Sequence, residues 1–211
     1  MVSLRPLAYA TMTRSLPSDT EFYLKHFEGL DLAGETFTSR TFESCTFVRC
    51  SLTESVFDRC KFIECTFRSC DLSNARLSAS KYQAVSFDEC KLLGVDWTRA
   101  EWPRYAAPGK LAFRKSNISY SNFFGLDLQE TVLEECKAHS VDFREGNFAK
   151  SNFTYTDFRD SLFNKTQLIG VDFSEAMHYL INVQENPVRG GRFTRSESFG
   201  LLHGLDIELV D

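Results

Sequence analysis

The sequence predicts an all-β solenoid, a chain wound into coils of short sides with a corner after each side. Three observations predict it. Large apolar residues recur at every fifth position over most of the 211 residues, a small residue stands two places before nearly every one of them, and the other places are mostly polar or charged. Two inward residues of unequal size in every five fit neither the helical stripe, with its period of about 3.6, nor the alternation of a half-buried strand. Self-similarity of this kind marks a stack in which each unit buries its apolar face against its neighbours.

The elements follow in chain order. Residues 1–19 hold Pro6 and Pro17 with no clear repeat, and are expected to form an N-terminal cap or tail. The first run, 20–103, keeps its period from Phe22 to Trp102 without a miss, and its densest stretch, CTFVRCSLTESVFDRCKFIECTFRSCDL, places Phe47, Leu52, Phe57, Phe62, Phe67 and Leu72 two positions after Cys45, Cys50, Ser55, Cys60, Cys65 and Cys70. We call the large residue the centre of its side. The residue before it is often Asp or Asn, as at Asp71, Asp96, Asn117, Asn122, Asp142, Asn152 and Asp172, types that favour turns by bonding their own backbone. RYAAPGKLA, residues 104–112, interrupts the period, which resumes one residue out of step; that shift requires a bulge or a projecting loop. The second run, 113–195, starts at Phe113, and only Ala138 and His178 fail it. Residues 196–211 abandon the repeat: a short helical turn is expected around Ser196 to His203, then an alternating strand at Leu205, Ile207 and Leu209. This apolar set suits either a lid on its own coil or a seam with a second copy, since an open coil end otherwise leaves strand edges unpaired.

All seven cysteines (45, 50, 60, 65, 70, 90 and 136) occupy the small inward place, which Ser, Ala and Val also fill, and the chain holds no C-x-x-C. They are expected to be buried, reduced thiols that fill space, with no metal among them. Dinucleotide, phosphate-loop, zinc-protease and nucleophile-elbow motifs are absent, so no cofactor and no catalytic residue is assigned. Acidic residues such as Glu64, Asp88, Glu89, Glu134 and Glu135 follow the outward places of the repeat and read as a solvated face, and His178 as a locally satisfied or exposed side chain. No apolar run is long enough for a membrane span and no secretory signal opens the chain, so a cytoplasmic location is expected. The net charge of −5 is uneven: 14 basic and 14 acidic residues balance through residue 110, leaving 10 against 15 beyond it.

S-N-F-T-Y at 151–155, V-D-F-R-E at 141–145 and C-D-L-S-N at 70–74 resemble the pentapeptide repeat family, whose consensus is A-(D/N)-L-X-X, over about residues 20 to 195. The resemblance implies a right-handed, four-sided parallel β-helix with one pentapeptide per side and twenty residues per coil. About eight coils at ~4.8 Å each then give a rod of roughly 40 Å. Within that family, C-K-L-L-G-V-D-W-T-R-A-E-W-P at 90–103, F-F-G-L-D-L at 123–128 and L-D-I-E-L-V-D at 205–211 are similar to the cytosolic dimers that protect DNA gyrase and topoisomerase IV: the quinolone-resistance proteins, the mycobacterial homologue and the albicidin-resistance protein.

That likeness implies a non-enzymatic homodimer joined through its C-termini, presenting a DNA-like shape to the topoisomerase without binding nucleic acid itself. Phe199, Leu201, Leu202, Leu205, Ile207 and Leu209 would form the seam, and Trp102, Pro103, Arg104, Tyr105 and Lys110 the partner contact at the loop. Literal mimicry fails on charge, since ~80 Å of DNA carries about 47 charges whereas two chains total −10, twice −5. A weaker electrostatic role remains for Asp127, Glu130, Glu134 and Glu135, near the middle of such a dimer. The alternative is a scaffold for an unrelated protein.

Overall fold

The computed structural model describes residues 15–102, 111–202, Leu205 and Ile207. The chain winds into a four-sided parallel solenoid of about eight turns. One face stacks the strands Glu21–Tyr23, Thr41–Glu43, Lys61–Ile63 and Lys81–Gln83; the next stacks His26–Glu28, Thr46–Val48, Thr66–Arg68, Val85–Asp88, Leu111–Arg114 and Val132–Glu134. The third is a column of single parallel bridges from Asp31 through Ser51, Asp71, Lys91, Asn117, Lys137 and Asp157 to Met177. The fourth begins with Thr36–Thr38 on Val56–Asp58 and continues by bridges such as Asp142 to Leu162.

Each centre points inward because its neighbours on the short side carry the ladder and must face outward. Rings therefore stack at the coil rise: Phe27, Phe47, Phe67, Phe87 and Phe113 form a column with centroids 4.9, 4.6, 5.0 and 5.1 Å apart. A second column of Trp97, Phe123, Phe143 and Phe163 bridges the interruption, with spacings of 5.8, 5.5 and 5.0 Å. At nearly every corner the residue two past the centre sits in the left-handed region, Ser44 (φ 50) and Glu64 (φ 53) among many, and glycine fills a few such corners, as Gly125 does at φ 68. A non-glycine residue there costs about 1–2 kcal/mol. The corner N–H offsets it by bonding the next coil, Ser44 N to Ile63 O at 2.8 Å and Glu64 N to Gln83 O at 2.8 Å.

The small inward residues do more than fill space. Cys60 Sγ donates to Phe37 O at 3.3 Å, Ser80 Oγ to Phe57 O at 2.9 Å and Thr156 Oγ1 to Leu133 O at 2.8 Å, each reaching the coil below. The same atoms accept from backbone there: Cys60 N to Ser80 Oγ at 2.9 Å, Cys136 N to Thr156 Oγ1 at 3.1 Å. The slot thus selects a short side chain with a polar tip, which is why Cys, Ser and Thr recur in it. All seven cysteines are buried and free.

Two expectations are corrected, the end of the loop and the strand placed at Leu205 and Ile207. Leu111 and Ala112 belong to a strand rather than to a loop spanning 104–112, and Val85 pairs with Leu111, an offset of 26 where Ser86 with Thr66 keeps 20, so the interruption inserts six residues. At 178, where the sequence breaks the period, His178 is exposed and satisfied by Asp157 as expected: the repeat slips by one, Tyr179 turns inward and His178, with φ 58, turns out. The short helical turn expected near the C-terminus forms as a 3-10 turn over Arg195–Leu201, whereas Leu205 and Ile207, the described residues of the strand expected after it, lie in no strand. Ahead of the first coil Leu16 joins the core and Pro17 O accepts from Arg40 Nη1 at 3.1 Å, so 15–19 packs on the rod.

Candidate partner-binding surface

The six-residue insertion falls at one corner of the rod, between Trp102 and Leu111. Trp102 closes the side before it, half-buried against the core, its Nε1 donating to Trp97 O at 2.9 Å and its ring 6.5 Å from Tyr82. Trp97 opens a 3-10 turn capped by Asp96, whose carboxylate accepts from Thr98 N. Trp102 therefore anchors the base of the insertion more than it offers a free face. Pro103, Arg104, Tyr105 and Lys110 lie outside the described residues.

The structure brings the four acidic candidates to the two faces that meet at this corner, one coil further on. Asp127 bridges to Asn147 and accepts from Gln129 Nε2 at 3.1 Å. Glu130 occupies the corner itself with φ 60. Glu134 ends a strand paired to Leu111–Arg114, and Arg114 Nε lies 3.4 Å from its carboxylate while Nη1 reaches back to Asp88 at 3.9 Å. Lys115 Nζ stands 4.0 Å from Glu135. Glu134 and Glu135 are thus matched by cations one coil below, and the local field is smaller than a count of carboxylates implies. The carboxylates first read as a solvated face behave alike: Glu64 and Glu89 accept from Ser44 and Ser69 hydroxyls at 3.2 Å each.

At the other end, Phe199 is 63% exposed and Ile207 55%, Leu201 packs on the core, and Leu202 and Leu205 are half-buried. Leu209 lies outside the described residues. Leu162, Met177 and Leu180, exposed on the last coils, add apolar surface to the same end.

One cluster went unread in the sequence. Asp157 accepts from His139 Nε2 at 2.8 Å and from His178 Nδ1 at 2.7 Å. Burial pulls its carboxyl upward, but the two imidazole hydrogen bonds outweigh burial and hold it below the ordinary carboxylate range. The signal was spacing: 139, 157 and 178 lie 18 and 21 positions apart, either side of one twenty-residue coil. No group of three or more His, Cys, Asp or Glu among the described residues is placed to hold a metal ion. No helix among them is long and apolar enough to cross a membrane.

A model of the pentapeptide repeat region matches residues 40–107 and 109–173. The chain belongs to the pentapeptide repeat family. Among solved structures it is similar to a trypsin-treated variant of QnrB1, a plasmid-mediated fluoroquinolone resistance protein, at 18% identity and a TM-score of 0.67, covering 90% of this chain and 92% of that one. A second trypsin-treated QnrB1 variant gives 18% identity and 0.66, with 90% and 100% covered. At that identity the likeness is one of fold. Comparison with curated proteins returns no match.

Proposed function

We propose that this pentapeptide repeat protein is a non-enzymatic cytoplasmic rod that docks on DNA gyrase, and on topoisomerase IV, and protects it from a poison of the albicidin or quinolone type. Two copies join through their C-terminal ends. The observation that carries the reading is the six-residue insertion: an otherwise continuous ladder is broken at one corner, between Trp102 and Leu111, on a rigid stem flanked by acidic residues. Binding residues favour loops held by such scaffolds. The likeness in fold to a fluoroquinolone resistance protein supports it, as does the apolar end carrying Phe199 and Ile207.

Charge sharpens the proposal. Because Arg114 and Lys115 already offset Glu134 and Glu135, reversal at Asp127 is expected to weaken protection more than reversal at either of those two, and binding to gyrase to weaken moderately with salt. The test is gyrase supercoiling with a quinolone or albicidin, with and without the purified protein. Relief of inhibition at low dose, lost when residues 103–110 are replaced by a short Gly/Ser linker, is the expected result. A folded dimer that protects neither topoisomerase would overturn the reading in favour of a scaffold for another protein.

A further inference from the structure

The fourth face carries its ladder steadily through the coils beyond the insertion and then stops. Phe123 N donates to Asp142 O at 2.8 Å and Gly125 N to Arg144 O at 2.9 Å; one coil on, Phe143 N donates to Leu162 O at 3.0 Å and Glu145 N to Asn164 O at 2.9 Å. The corresponding donors of the next side, Phe163 N and Lys165 N, bond no group among the described residues, and Ser161 O accepts from none. The side that should cover them is folded into a turn instead. Asn182 O, the acceptor due to Phe163 N, takes Glu185 N at 3.1 Å, Asn186 N at 3.0 Å and Asn186 Nδ2 at 2.9 Å. The winding nonetheless continues past it, since Leu168 N donates to Pro187 O at 3.0 Å and Phe193 stacks on Phe173 at 5.2 Å. The result is a cleft of about 570 Å³ within the winding, between residues 160–164 and 180–185. Phe163 is 7% exposed there, although Phe143, Phe153, Phe158 and Phe173 are sealed.

Unpaired ladder groups are a template for another strand, and adding an extended segment to such an edge is a recurrent mode of recognition. We propose that this cleft takes up an extended, basic peptide segment of a protein partner as an added parallel strand, its backbone bonding Phe163 N, Lys165 N and Ser161 O.

The surroundings choose the occupant. Asp160 and Glu185 line the cleft from its two walls, and neither pairs with a cation among the described residues; Glu185 accepts from Asn164 Nδ2 instead. Lysines on the added strand at the levels of Asp160 and Asn164 supply the missing charge, the second one replacing the Asn164 amide as the partner of Glu185. An acidic segment such as the chain's own L-D-I-E-L-V-D at 205–211 would bring carboxylate to carboxylate. Between the lysines the register asks for an aliphatic residue at the level of Leu162, which with Leu180 offers an exposed apolar patch, and for a small residue over Phe163.

Amide hydrogen exchange of the full chain, followed by NMR with acetyl-Lys-Ser-Val-Ala-Lys-amide as the probe at up to millimolar concentration, tests this. Protection of the Phe163 and Lys165 amides is expected to rise as peptide is added, while that of the Thr41 amide, bonded to Thr20 O at 2.8 Å at the other end of the rod, stays unchanged. The same peptide with glutamate in place of both lysines should bind about tenfold more weakly. A copy N-methylated at valine, which has no hydrogen to give Ser161 O, should lose most of its affinity. Asp160→Asn, which keeps a residue suited to the left-handed corner at φ 59, and Glu185→Gln should each weaken the lysine peptide about threefold. No added protection at either amide, or equal binding of the lysine and glutamate peptides, overturns the proposal, and neither outcome depends on a variant that folds. Protection of both amides in the free chain overturns it too: constant with protein concentration, it would place the chain's own C-terminal segment in the cleft, and rising with concentration, a second copy. No topoisomerase enters the assay, so this inference and the protection of gyrase stand or fall separately.

Discussion

The two stretches of the rod on either side of the insertion solve one packing problem differently. Up to Asp88 most sides are three-residue strands, whereas beyond Arg114 most are single bridges closed by a turn. The residue before the centre accounts for much of this. Thr41, Thr46, Lys61 and Thr66 open strands, while Asn122, Asp142, Asn147 and Asn152 each accept a hydrogen bond from the N–H two residues on, at 3.0, 3.1, 3.2 and 3.0 Å. A side chain that bonds its own backbone draws the strand into a turn. The inward slot differs too, with six of the seven thiols before the insertion and mainly hydroxyls after it. One position in five therefore chooses the geometry of a side, while the centre chooses the core, and the two vary independently.

The largest expected effect separates the stretches by alkali. Burial pushes the Cys65 thiol up to about 12; the Cys70 thiol also stands at about 12, where the Cys50 hydrogen bond pulls it down and the Cys90 hydrogen bond and burial push it up; burial raises Cys60 too, all from an ordinary 9.0. The folded chain thus keeps protons that the unfolded chain releases, so stability is full below pH 9 and falls as the pH climbs from there toward 12. Thermal melts between pH 8 and pH 11 should show the loss, and Cys60→Ser with Cys65→Ser and Cys70→Ser should reduce the slope more than Cys136→Ser, the one thiol beyond the insertion, which burial also pushes up to about 12.

Next comes the core. Phe153, fully buried and ringed by Phe143, Phe148, Phe158 and Phe173, should cost ~3–5 kcal/mol on replacement by Ala in urea unfolding, against under ~0.5 kcal/mol for Thr154→Ala beside it. A smaller contrast lies in the slot. Thr156→Val breaks two coil-to-coil bonds and should cost about 1–3 kcal/mol, while Thr131→Val, which removes a buried hydroxyl that has no partner, should be neutral or stabilising. Smallest is the turn itself: Asn152→Ala should cost about 1 kcal/mol and Thr66→Ala only a few tenths, as read by the same denaturation.

The candidate site was less legible than the coil. Asp127, Glu130, Glu134 and Glu135 were visible as acids near the interruption, but their partners Arg114 and Lys115 stand twenty positions away, and a pairing across coils emerges only once the register is set. The same holds for His139, Asp157 and His178. The apolar character of the C-terminal end was readable from Phe199 and Ile207, whereas of the strand expected at Leu205, Ile207 and Leu209 the two described residues, Leu205 and Ile207, lie in none.

By itself the sequence determined which residues face inward, how many coils there are and where the ladder breaks, because a five-residue period in size and polarity admits one inward set and any insertion that is not a multiple of five must shift it. Tertiary structure decided the shape of individual sides. Ser51 and Lys91 carry no Asp or Asn signal, yet they take the bridge-and-turn form of the column they share with Asp31, Asp71 and Asn117. Parallel neighbours must match in rise and hydrogen-bond direction, so each side is set partly by the coils above and below it. The slip from His178 to Tyr179 has the same origin: the larger ring fills the last inward place, and the imidazole is left outside to meet a carboxylate from the previous coil.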